Sequence, residues 1–374
     1  MADRWILQLC HGHSGPFLDV ARQYAVLFKG TPFKVLTVYL TGEPSEEACA
    51  GSASDEVIFL NFPSRAIRGL KLEAIQKLKE IAASRDFAFV IAHRFKPIYV
   101  ACLSSRLPVI GVHHAFGDYD RPQRRWFAHF FRQRLALLGV SNAVREDLRK
   151  HLPQWAPQRI ETLHNRLNME EMQAQMIPRN EAREKLGLPQ DVVVVANVGR
   201  LHPDKDQATL LRGFAAALPD LPPGTLLAIA GRGQLERELK GQAKQLGITH
   251  SVRFLGQIPD ARHYFRAFDL FVLSSDHEPF GMVLLEAMAA GVRVFATDCG
   301  GAPEVVENPN QLFPLGNSEQ LTRLIVAFFQ GDAATRHGEI AVKGVQRLQE
   351  RFSDISARQS FFTLAVVRDL IAGR

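Results

Sequence analysis

The sequence predicts an α/β protein of two doubly wound domains. At 374 residues, the chain is about twice the commonest domain size, which favours two domains over one. Short apolar and β-branched runs alternate with helical patterns along its whole length, as expected where crossover helices join strands. The runs are apolar throughout, which is typical of parallel strands covered by helices on both faces.

The predicted strands form two groups. In the first half of the chain they are RWILQLC, FKVLTVYL, EVIFL, FAFVIAH, PVIGVHH and LALLGVS. In the second half they are VVVVANVG, TLLAIAG, VRFLG, DLFVLSS and VRVFATD. A polar stretch that contains Pro178 and Pro189 separates the groups and ends where the second sheet is expected to begin. We therefore place an N-terminal domain over residues 1–170 and a C-terminal domain over residues 171–353.

The composition limits location and partners. The net charge of +6 and the isoelectric point near 9.2 suit nucleic acid, an anionic membrane surface or a phosphorylated substrate as partner. The first residues lack a signal-peptide pattern, and no run of about 18 uncharged apolar residues occurs, so we expect a cytoplasmic protein that does not span a membrane. We expect the scattered cysteines to be reduced packing residues: Cys10, Cys49, Cys102 and Cys299.

The loops that follow the predicted strands are the expected binding region, because ligands of open parallel sheets bind beyond the carboxyl ends of the strands. In GRLHPDKD, Arg200 and Lys205 are suited to clamp a diphosphate, although two solvated surface cations would fit as well. In AGRGQ, Gly231 and Gly233 would let backbone approach a ligand closely. Their spacing is not that of a dinucleotide-binding fingerprint.

The segment EPFGMVLLEAMAAG is more specific. A strand ends before Pro279, and the amides of the helix start from Phe280 to Val283 are left free for an anion or hydroxyl groups. Glu278 lies at the entrance and Glu286 about two turns along the helix, with no cation one turn to either side. Two acceptor-only groups this far apart suit two clusters of sugar hydroxyls better than one metal ion.

Taken together, these segments resemble a known family. GRLHPDKDQATLLRGF, AGRGQLEREL, VRFLGQI, EPFGMVLLEAMAAG and CGGAPEVV stand in the order and spacing of the retaining glycosyltransferases of family 4. The resemblance covers residues 105–370 well, and LGVSNAVREDL, HNRLN and RFSDISARQSFFTLAVVRDLI are also similar to that family. It implies the glycosyltransferase-B fold, in which two Rossmann-like domains face each other across a cleft and a closing helix, here 354–374, packs back on the N-terminal domain.

The resemblance also implies roles for the matching residues. Arg200 and Lys205 would neutralise the diphosphate of the donor, which is the leaving group, and Glu278 would accept hydrogen bonds from the donor sugar. Glu286 would accept from the ribose. The residues implied in donor binding are Gly15, Gly199, Arg200, Lys205, Gly231, Leu255, Ile258, Glu278, Phe280, Gly281, Met282, Val283 and Glu286.

In the N-terminal domain, PVIGVHHAFG resembles the family's strand that ends in a histidine facing the donor sugar. His113 and His114 both fit, and the register between them stays open. The implied catalytic residues are His113, His114, Arg200, Lys205 and Glu278. On the acceptor side we place His13, Ser14, Asp118 and Asp120.

Asp118 and Asp120 form an Asp-x-Asp string, which in the other large glycosyltransferase fold would bind a divalent metal and a diphosphate. Because Arg200 and Lys205 already supply positive charge, we expect neither a metal nor another cofactor. The resemblance implies retention of configuration. We see no convincing carboxylate nucleophile, so we expect front-face substitution rather than double displacement.

The predicted function is transfer of a sugar from a nucleotide-diphosphate sugar, UDP-hexose first, to a glycan or lipid-linked glycan. We expect this in lipopolysaccharide core or related cell-envelope synthesis. A sugar-nucleotide epimerase or sugar-phosphate synthase of the same fold is the alternative. A basic nucleic-acid-binding protein is the alternative from another class, but no nucleic-acid-binding signature supports it, so we expect no nucleic-acid partner. The donor base and sugar, the acceptor, the linkage and the oligomeric state stay open.

A stretch rich in arginine and aromatic residues, DYDRPQRRWFAHFFRQRLALL, has two interpretations. Its aromatic residues belong either to the core or to a face that meets anionic lipid or a phosphorylated glycolipid. A second basic helix, RAIRGLKLEAIQKLKEIAASR, lies in the same domain. This distribution predicts a peripheral protein on the inner face of the cytoplasmic membrane.

Overall fold

The computed structural model describes residues 4–331 and 339–371, with backbone alone for 339–343. The chain separates into two compact units. Unit 1 comprises Met1–Arg166 and Asp354–Arg374, and unit 2 comprises Leu167–Ser353. The chain passes from unit 1 to unit 2 after Arg166, four residues before the boundary predicted between residues 170 and 171.

Unit 1 contains a sheet of seven parallel strands. The strands are β1 (Arg4–Cys10), β2 (Phe33–Tyr39), β3 (Glu56–Phe59), β4 (Phe87–His93), β5 (Val109–His113), β6 (Leu135–Gly139) and β7 (Ile160–Thr162). Their order across the sheet is β3-β2-β1-β4-β5-β6-β7. The crossover helices are α1 (Pro16–Ala25), α2 (Glu46–Gly51), α3 (Leu72–Ala83), α4 (Phe95–Ser104), α5 (Pro122–Phe130) and α6 (Asn142–His151).

Unit 2 repeats this design with six parallel strands. They are β8 (Val194–Val198), β9 (Leu226–Ala230), β10 (Val252–Gly256), β11 (Leu270–Leu273), β12 (Arg293–Thr297) and β13 (Leu312–Phe313), in the order β10-β9-β8-β11-β12-β13. Its helices are α7 (Met169–Gln175), α8 (Arg179–Lys185), α9 (Gln207–Ala217), α10 (Glu236–Gln245), α11 (Met282–Ala289), α12 (Ala302–Val306), α13 (Ser318–Gln330) and α14 (Glu339–Arg351). The predicted pair of doubly wound α/β domains is confirmed.

The sequence pattern found the long buried strands and missed two short edge strands. Central strands such as β5, β6 and β9 are buried at every residue, because helices cover both faces of a parallel sheet. The missed strands are β7, with three residues of which two are polar, and β13, with two residues. Segments this short carry too little apolar pattern to be recognised.

The C-terminal helices return to unit 1. They are α15 (Asp354–Thr363) and α16 (Ala365–Ile371), so the predicted closing helix is two helices, and residues 372–374 lie outside the described part. Asp354 accepts from Arg22 Nη1 at 2.9 Å and from Arg166 Nε at 2.8 Å. Arg166 is the last residue of unit 1 before the chain enters unit 2, and Asp354 is the first residue after it returns. Because Arg166 is fully buried, their ion pair holds these two points of the chain together.

Two further expectations concern membrane-spanning helices and the burial of the cysteines. In 4–331 and 339–371, no helix is both long enough and apolar enough to span a bilayer. Cys10 and Cys102 are buried, and burial raises the pKa of the Cys102 thiol to about 12. Cys49 is exposed, so the expectation that it packs in the core is wrong.

Each sheet has one point where the strand order reverses. The first strand of each unit, β1 or β8, has the second strand on one side and the fourth strand on the other. Loops that leave the two central strands there diverge to opposite faces and open a crevice in which ligands of this fold bind. We call these places the switch points of unit 1 and unit 2.

Candidate functional site

At the switch point of unit 2, the loops that follow β8 and β11 are joined. Ser274 Oγ donates to the carbonyl oxygen of Lys205 at 2.8 Å, and the amide of Asp276 donates to the carbonyl oxygen of Asp204 at 3.0 Å. Lys205 ends a short 3-10 turn that begins at Pro203. The two loops therefore position their side chains together.

The central contact is an ion pair between Lys205 and Glu278. Lys205 Nζ donates to Glu278 Oε2 at 2.9 Å, and the two side chains are 18% and 11% exposed. Two charges withdrawn this far from water are stable only with a partner. The resemblance implied that one residue serves the diphosphate and the other the sugar, and the structure places them in direct contact.

Arg200 lies at the outer side of the same loop. Its side chain is 68% exposed and donates to Asp204 Oδ2 at 3.0 Å. The other oxygen of Asp204 binds His202 Nδ1 at 2.6 Å. A pair this exposed is weak, so the guanidinium can exchange Asp204 for an anionic ligand at small cost.

Gly231 is required by packing between loops. Its φ of 138° is unfavourable for other residues, and a Cβ atom there would lie 1.9 Å from the carbonyl oxygen of Gly199. The amide of Gly199 donates to Ala230, and that of Gly231 donates to Gly256 at 2.7 Å. The glycine thus lets the loops after three adjacent strands pack backbone against backbone.

The backbone of Glu278 is held by a second close contact between loops, which was not predicted. Gly300 has a φ of 56°, and a Cβ atom there would lie 2.1 Å from the carbonyl oxygen of Glu278. The amide of Gly301 donates to that same oxygen at 2.8 Å. The signal was in the sequence as paired glycines directly after a strand, but no position was assigned to them.

Helix α11 begins beside Glu278. Its N-cap, Gly281, has a φ of 99° and offers no side chain to the first amides, and the first turn carries no acidic residue. Phe280 is 2% exposed and its ring packs 5.7 Å from that of Phe352, so only its backbone can serve a ligand. Met282 and Val283 are half-buried.

The predicted donor residues Leu255, Ile258 and Glu286 lie in the same unit, whereas Gly15 lies in unit 1. Leu255 and Ile258 are half-buried at the end of β10. Glu286 is half-buried on α11 and interacts with another group of the protein. Its burial therefore does not by itself call for a ligand, and its assignment to a ribose rests on the resemblance.

In unit 1, the two histidines at the end of β5, His113 and His114, have different environments. His113 is fully buried, with Nδ1 2.7 Å from Asp118 Oδ2 and Nε2 3.4 Å from the hydroxyl of Tyr119. His114 keeps some exposed surface, and its Nε2 lies 3.2 Å from Nδ1 of His93. Both nitrogens of His113 are thus occupied by the protein.

The two histidine rings at β4 and β5 are neutral near pH 7. Burial lowers the pKa of His114 to about 3, and the charges of His113 and Arg94 add to the effect. Burial also holds the pKa of His93 well below its usual value. His114 can therefore donate or accept one hydrogen bond without carrying charge.

Asp118 and Asp120 have separate partners. Arg124 Nη1 donates to Asp118 Oδ1 at 3.1 Å. Burial raises the pKa of Asp118, but His113 and Arg124 outweigh it and hold the pKa below its ordinary value. Asp120 lies 3.0 Å from His151 Nε2. Among the residues that the structure describes, no three His, Cys, Asp or Glu side chains converge as metal ligands would.

The first loop of unit 1 places its predicted residues over another part of the sheet. His13 packs edge-on against Tyr39 and Phe59, with ring centroids 5.2 and 5.4 Å away, at the ends of β2 and β3. Ser14 is exposed, and Gly15 has a φ of 61° at the start of α1. The acceptor-side residues therefore fall in two places, one beside β2 and β3 and the other after β5.

Sequence reasoning missed the residues at the switch point of unit 1. His11 follows β1, whereas His93, Arg94 and Lys96 lie at the end of β4 and the start of α4. The segment AHRFKP at the end of the fourth strand was the available signal. It carried no motif of the family and was passed over.

Comparisons with known proteins agree with this architecture. The family model described as Glycosyltransferase Family 4 matches residues 29–171, and the one described as Glycosyl transferases group 1 matches residues 178–341. They follow one another along the chain and cover most of its length.

Two curated relatives share part of their sequence with this chain. The lipopolysaccharide core biosynthesis glycosyltransferase LpsE of Rhizobium meliloti is 30% identical over 184 residues, 49% of this chain and 52% of the relative. The D-inositol 3-phosphate glycosyltransferase of Saccharomonospora viridis is 34% identical over 235 residues, 58% of this chain and 50% of the relative. The chain spans about half the length of these relatives.

Among solved structures, Anabaena Alr3699/HepE in complex with UDP and glucose has the same fold. The TM-score is 0.78 at 20% identity, over 99% of this chain and 100% of that protein. With the order of its motifs, the two family models and the paired parallel sheets, the chain belongs to the family 4 glycosyltransferases of the glycosyltransferase-B fold and resembles those of lipopolysaccharide core synthesis.

Proposed function

We propose that this protein transfers a sugar from a nucleotide-diphosphate sugar to a glycan or lipid-linked glycan. The observation that carries the proposal is the Lys205–Glu278 ion pair at the switch point of unit 2. It lies between a loop that ends in a cation and a helix start without a capping side chain. A cation, the backbone amides of a helix start and a carboxylate acceptor are the groups that a diphosphate linked to a sugar requires.

In this proposal Lys205 and Arg200 stabilise the leaving group. Negative charge grows on the diphosphate as the glycosidic bond breaks, and cations that are already in place lower the energy of that transition state. The ammonium of Lys205 has three N–H donors, of which Glu278 uses one. Lys205 can therefore bind a phosphate oxygen without releasing Glu278, which keeps its second oxygen for a sugar hydroxyl.

Retention by front-face substitution is the proposed course of the reaction. The departing phosphate would help to deprotonate the incoming hydroxyl, so the protein would supply no nucleophile. Glu278, the carboxylate at the site, is bound by Lys205 at 2.9 Å, which disfavours attack by its oxygen. Mass spectrometry of the protein after mixing with donor should show no covalent glycosyl adduct, and a trapped adduct would refute this course.

Independence from metal ions is part of the same proposal. The positive charge at the diphosphate would come from Lys205 and Arg200. The carboxylates of the Asp-x-Asp string are engaged by Arg124 and His151. We expect EDTA to leave transfer unchanged, and activity lost with EDTA and restored by Mg²⁺ or Mn²⁺ would contradict the expectation.

UDP-hexose is the proposed donor, and the structure of Anabaena Alr3699/HepE in complex with UDP and glucose, which shares this fold, supports the choice. A thermal-shift panel of UDP, GDP, ADP and dTDP is the direct test, because a ligand that binds the native state raises its stability. UDP should give the largest shift and uridine a smaller one. No response to any nucleoside diphosphate would refute the transferase proposal.

We further propose a peripheral position on the cytoplasmic face of an anionic membrane, where lipopolysaccharide core or related glycolipids are assembled. The similarity to LpsE supports the pathway. On α5, Phe127 is buried, but Trp126 and Phe130 are 70% and 67% exposed, and their rings stack 5.8 Å apart. Exposed stacked aromatics on an arginine-rich helix suit an anionic lipid interface.

Vesicle co-sedimentation tests the membrane position. The double variant Trp126→Ser/Phe130→Ser should bind phosphatidylglycerol vesicles roughly 10-fold or more weakly, since each ring contributes about 1.5–3 kcal/mol when buried. Ile355→Ser is the matched control, because Ile355 is 73% exposed on α15. Vesicle binding that does not respond to anionic lipid content would remove this part of the proposal.

A further inference from the structure

Four cations surround the first turns of α4 in unit 1. Arg94 directly precedes the helix and Lys96 lies in its first turn. Lys71 Nζ lies 4.4 Å from the ring centroid of Tyr99, and the guanidinium carbon of Arg124 lies 4.5 Å from that of Phe95. We call Lys71, Arg94, Lys96 and Arg124 the α4 cation cluster.

One carboxylate near the cluster, Asp118, interacts with the charges of Arg124 and Arg94, but the cluster has four cations. Among the described residues, no carboxylate forms an ion pair with Lys71, Arg94 or Lys96. Arg124 does bind Asp118, but that carboxylate also accepts from His113. Burial lowers the pKa of Lys71, and the charges of Lys96 and Arg124 lower it further. Like charges held this close favour an anion between them.

The backbone of Arg94 is strained. Its φ of 72° and ψ of 164° lie in a region that is essentially restricted to glycine. The amide of Arg94 donates to Val112 at 2.8 Å, and its carbonyl accepts from Ile98 at 3.2 Å. Glycine would make both backbone bonds without strain, so the presence of arginine points to use of its side chain, whose guanidinium carbon lies 5.2 Å from the ring centroid of Phe17.

Buried polar atoms without partners lie at the same switch point. Within the described part of the chain, Nε2 of His93 and Nδ1 of His11 are buried and have no hydrogen-bond partner, and His93 is 3% exposed. Burial lowers the pKa of His11, and the charges of Lys96 and Arg94 lower it further. His11 is therefore close enough to the cluster to interact with its charges. Such atoms are destabilising unless a ligand or water satisfies them.

We propose that the α4 cation cluster, with Arg94 and Lys96 as its main contacts, binds a phosphate group of the sugar acceptor. The inference rests on the proposed transferase function and adds the chemical class of its acceptor. The first amides of the ten-residue α4, which no side chain caps, would add donors for the phosphate oxygens. The phosphate could belong to a soluble sugar phosphate or to a lipid-linked glycan, and two binding experiments distinguish these sources.

The first experiment uses the full-length chain and inorganic phosphate as the probe, at constant ionic strength set with chloride. Phosphate affinity is measured by thermal shift with and without UDP. Arg94→Gly and Lys96→Ala should each bind phosphate about 10-fold or more weakly, with UDP affinity unchanged. Lys79→Ala, which removes an exposed cation from α3, should behave like the wild type.

Arg94→Gly also separates binding from folding. Because it relieves the strained φ and ψ, its Tm without phosphate should be unchanged or higher by up to about 4 °C. Wild-type phosphate affinity in both variants would overturn the proposal. A loss of UDP affinity with phosphate affinity intact would overturn it too, because the cluster would then serve the donor.

The second experiment replaces phosphate by vesicles of phosphatidylglycerol and phosphatidylcholine. If Arg94→Gly and Lys96→Ala weaken phosphate binding but not vesicle binding, the acceptor phosphate is on a soluble sugar. If they weaken both, it is lipid-linked. Neither measurement requires turnover, so the subsite can fail while transfer is intact, and transfer can fail while the subsite binds phosphate.

Discussion

The two units share a strand order but differ in the charges at their switch points. In unit 2 the loops after the central strands bring together an ammonium and a carboxylate, Lys205 and Glu278, at 2.9 Å. In unit 1 the equivalent loops bring together His93, which burial keeps neutral, and the cations Arg94 and Lys96, for which no carboxylate ion pair is found among the described residues. The fold thus determines where a ligand lies, whereas the residues placed there determine what it is.

The difference fits a division of labour between the units. A fixed cation next to a carboxylate suits a leaving group that gains negative charge beside a sugar that offers hydroxyls. Neutral imidazoles at the end of β4 and β5 suit groups whose charge does not change. Substitutions in the two units should separate these roles, and the largest effect is expected at Glu278.

Glu278→Ala should reduce transfer about 100- to 1,000-fold, because it removes an acceptor that is fixed in the site by Gly300 and Gly301. Nucleotide affinity should change little, since the proposal assigns the diphosphate to the cations Lys205 and Arg200. Single-turnover transfer and calorimetric titration with UDP measure the two quantities. Glu238→Ala, on the exposed face of α10, is the control, and full activity in Glu278→Ala would defeat the assignment of the site.

Lys205→Ala should weaken UDP binding about 10-fold or more, and Arg200→Ala should weaken it less. Lys205 is 18% exposed and its charge is poorly screened, whereas Arg200 is 68% exposed and pairs with Asp204 in solvent. Uridine, which lacks the diphosphate, should bind both variants like the wild type. An equal loss of uridine and UDP would show that the variants disturb the fold of the loop rather than the diphosphate contact.

The same contrast shows how far sequence reasoning reached. The loop positions of Arg200, Lys205 and Glu278 were predictable, because apolar strands and glycine-rich turns mark the carboxyl edge of a parallel sheet. Contact between Lys205 and Glu278, 73 residues apart in sequence, was not predictable, since it depends on which strands are neighbours. The fold class followed from buried strands, whereas β7 and β13 were too short to detect.

In unit 1, sequence reasoning was limited by contacts and backbone strain that a single sequence does not show. The pair His113 and His114 was found, but not that Asp118 binds one and His93 the other. Arg94 was passed over because backbone strain has no signature in a single sequence. For Glu286, the expectation of a missing partner considered only neighbours on its own helix, and the structure gives this residue an interaction within the protein.

The smallest effect concerns the neutral histidines and the dependence of stability on pH. His114 has a pKa of about 3 in the folded chain against an ordinary value of 6.5. Below about pH 6.5 the unfolded chain therefore takes up a proton that the folded chain does not. The stability from a neutral His114 is complete above that pH and is lost as the pH falls towards 3, by up to about 1.4 kcal/mol per pH unit.

His114→Gln should therefore lose less stability than the wild type between pH 6 and pH 4, as measured by urea unfolding at a series of pH values. Part of the slope of unfolding free energy against pH will remain, because His93 also has a lowered pKa. His250→Gln, which removes an exposed histidine in unit 2, should keep the wild-type slope. If His114→Gln keeps it as well, His114 takes up its proton at a similar pH in the folded and the unfolded chain, and the contrast between neutral histidines in unit 1 and a charged pair in unit 2 does not hold.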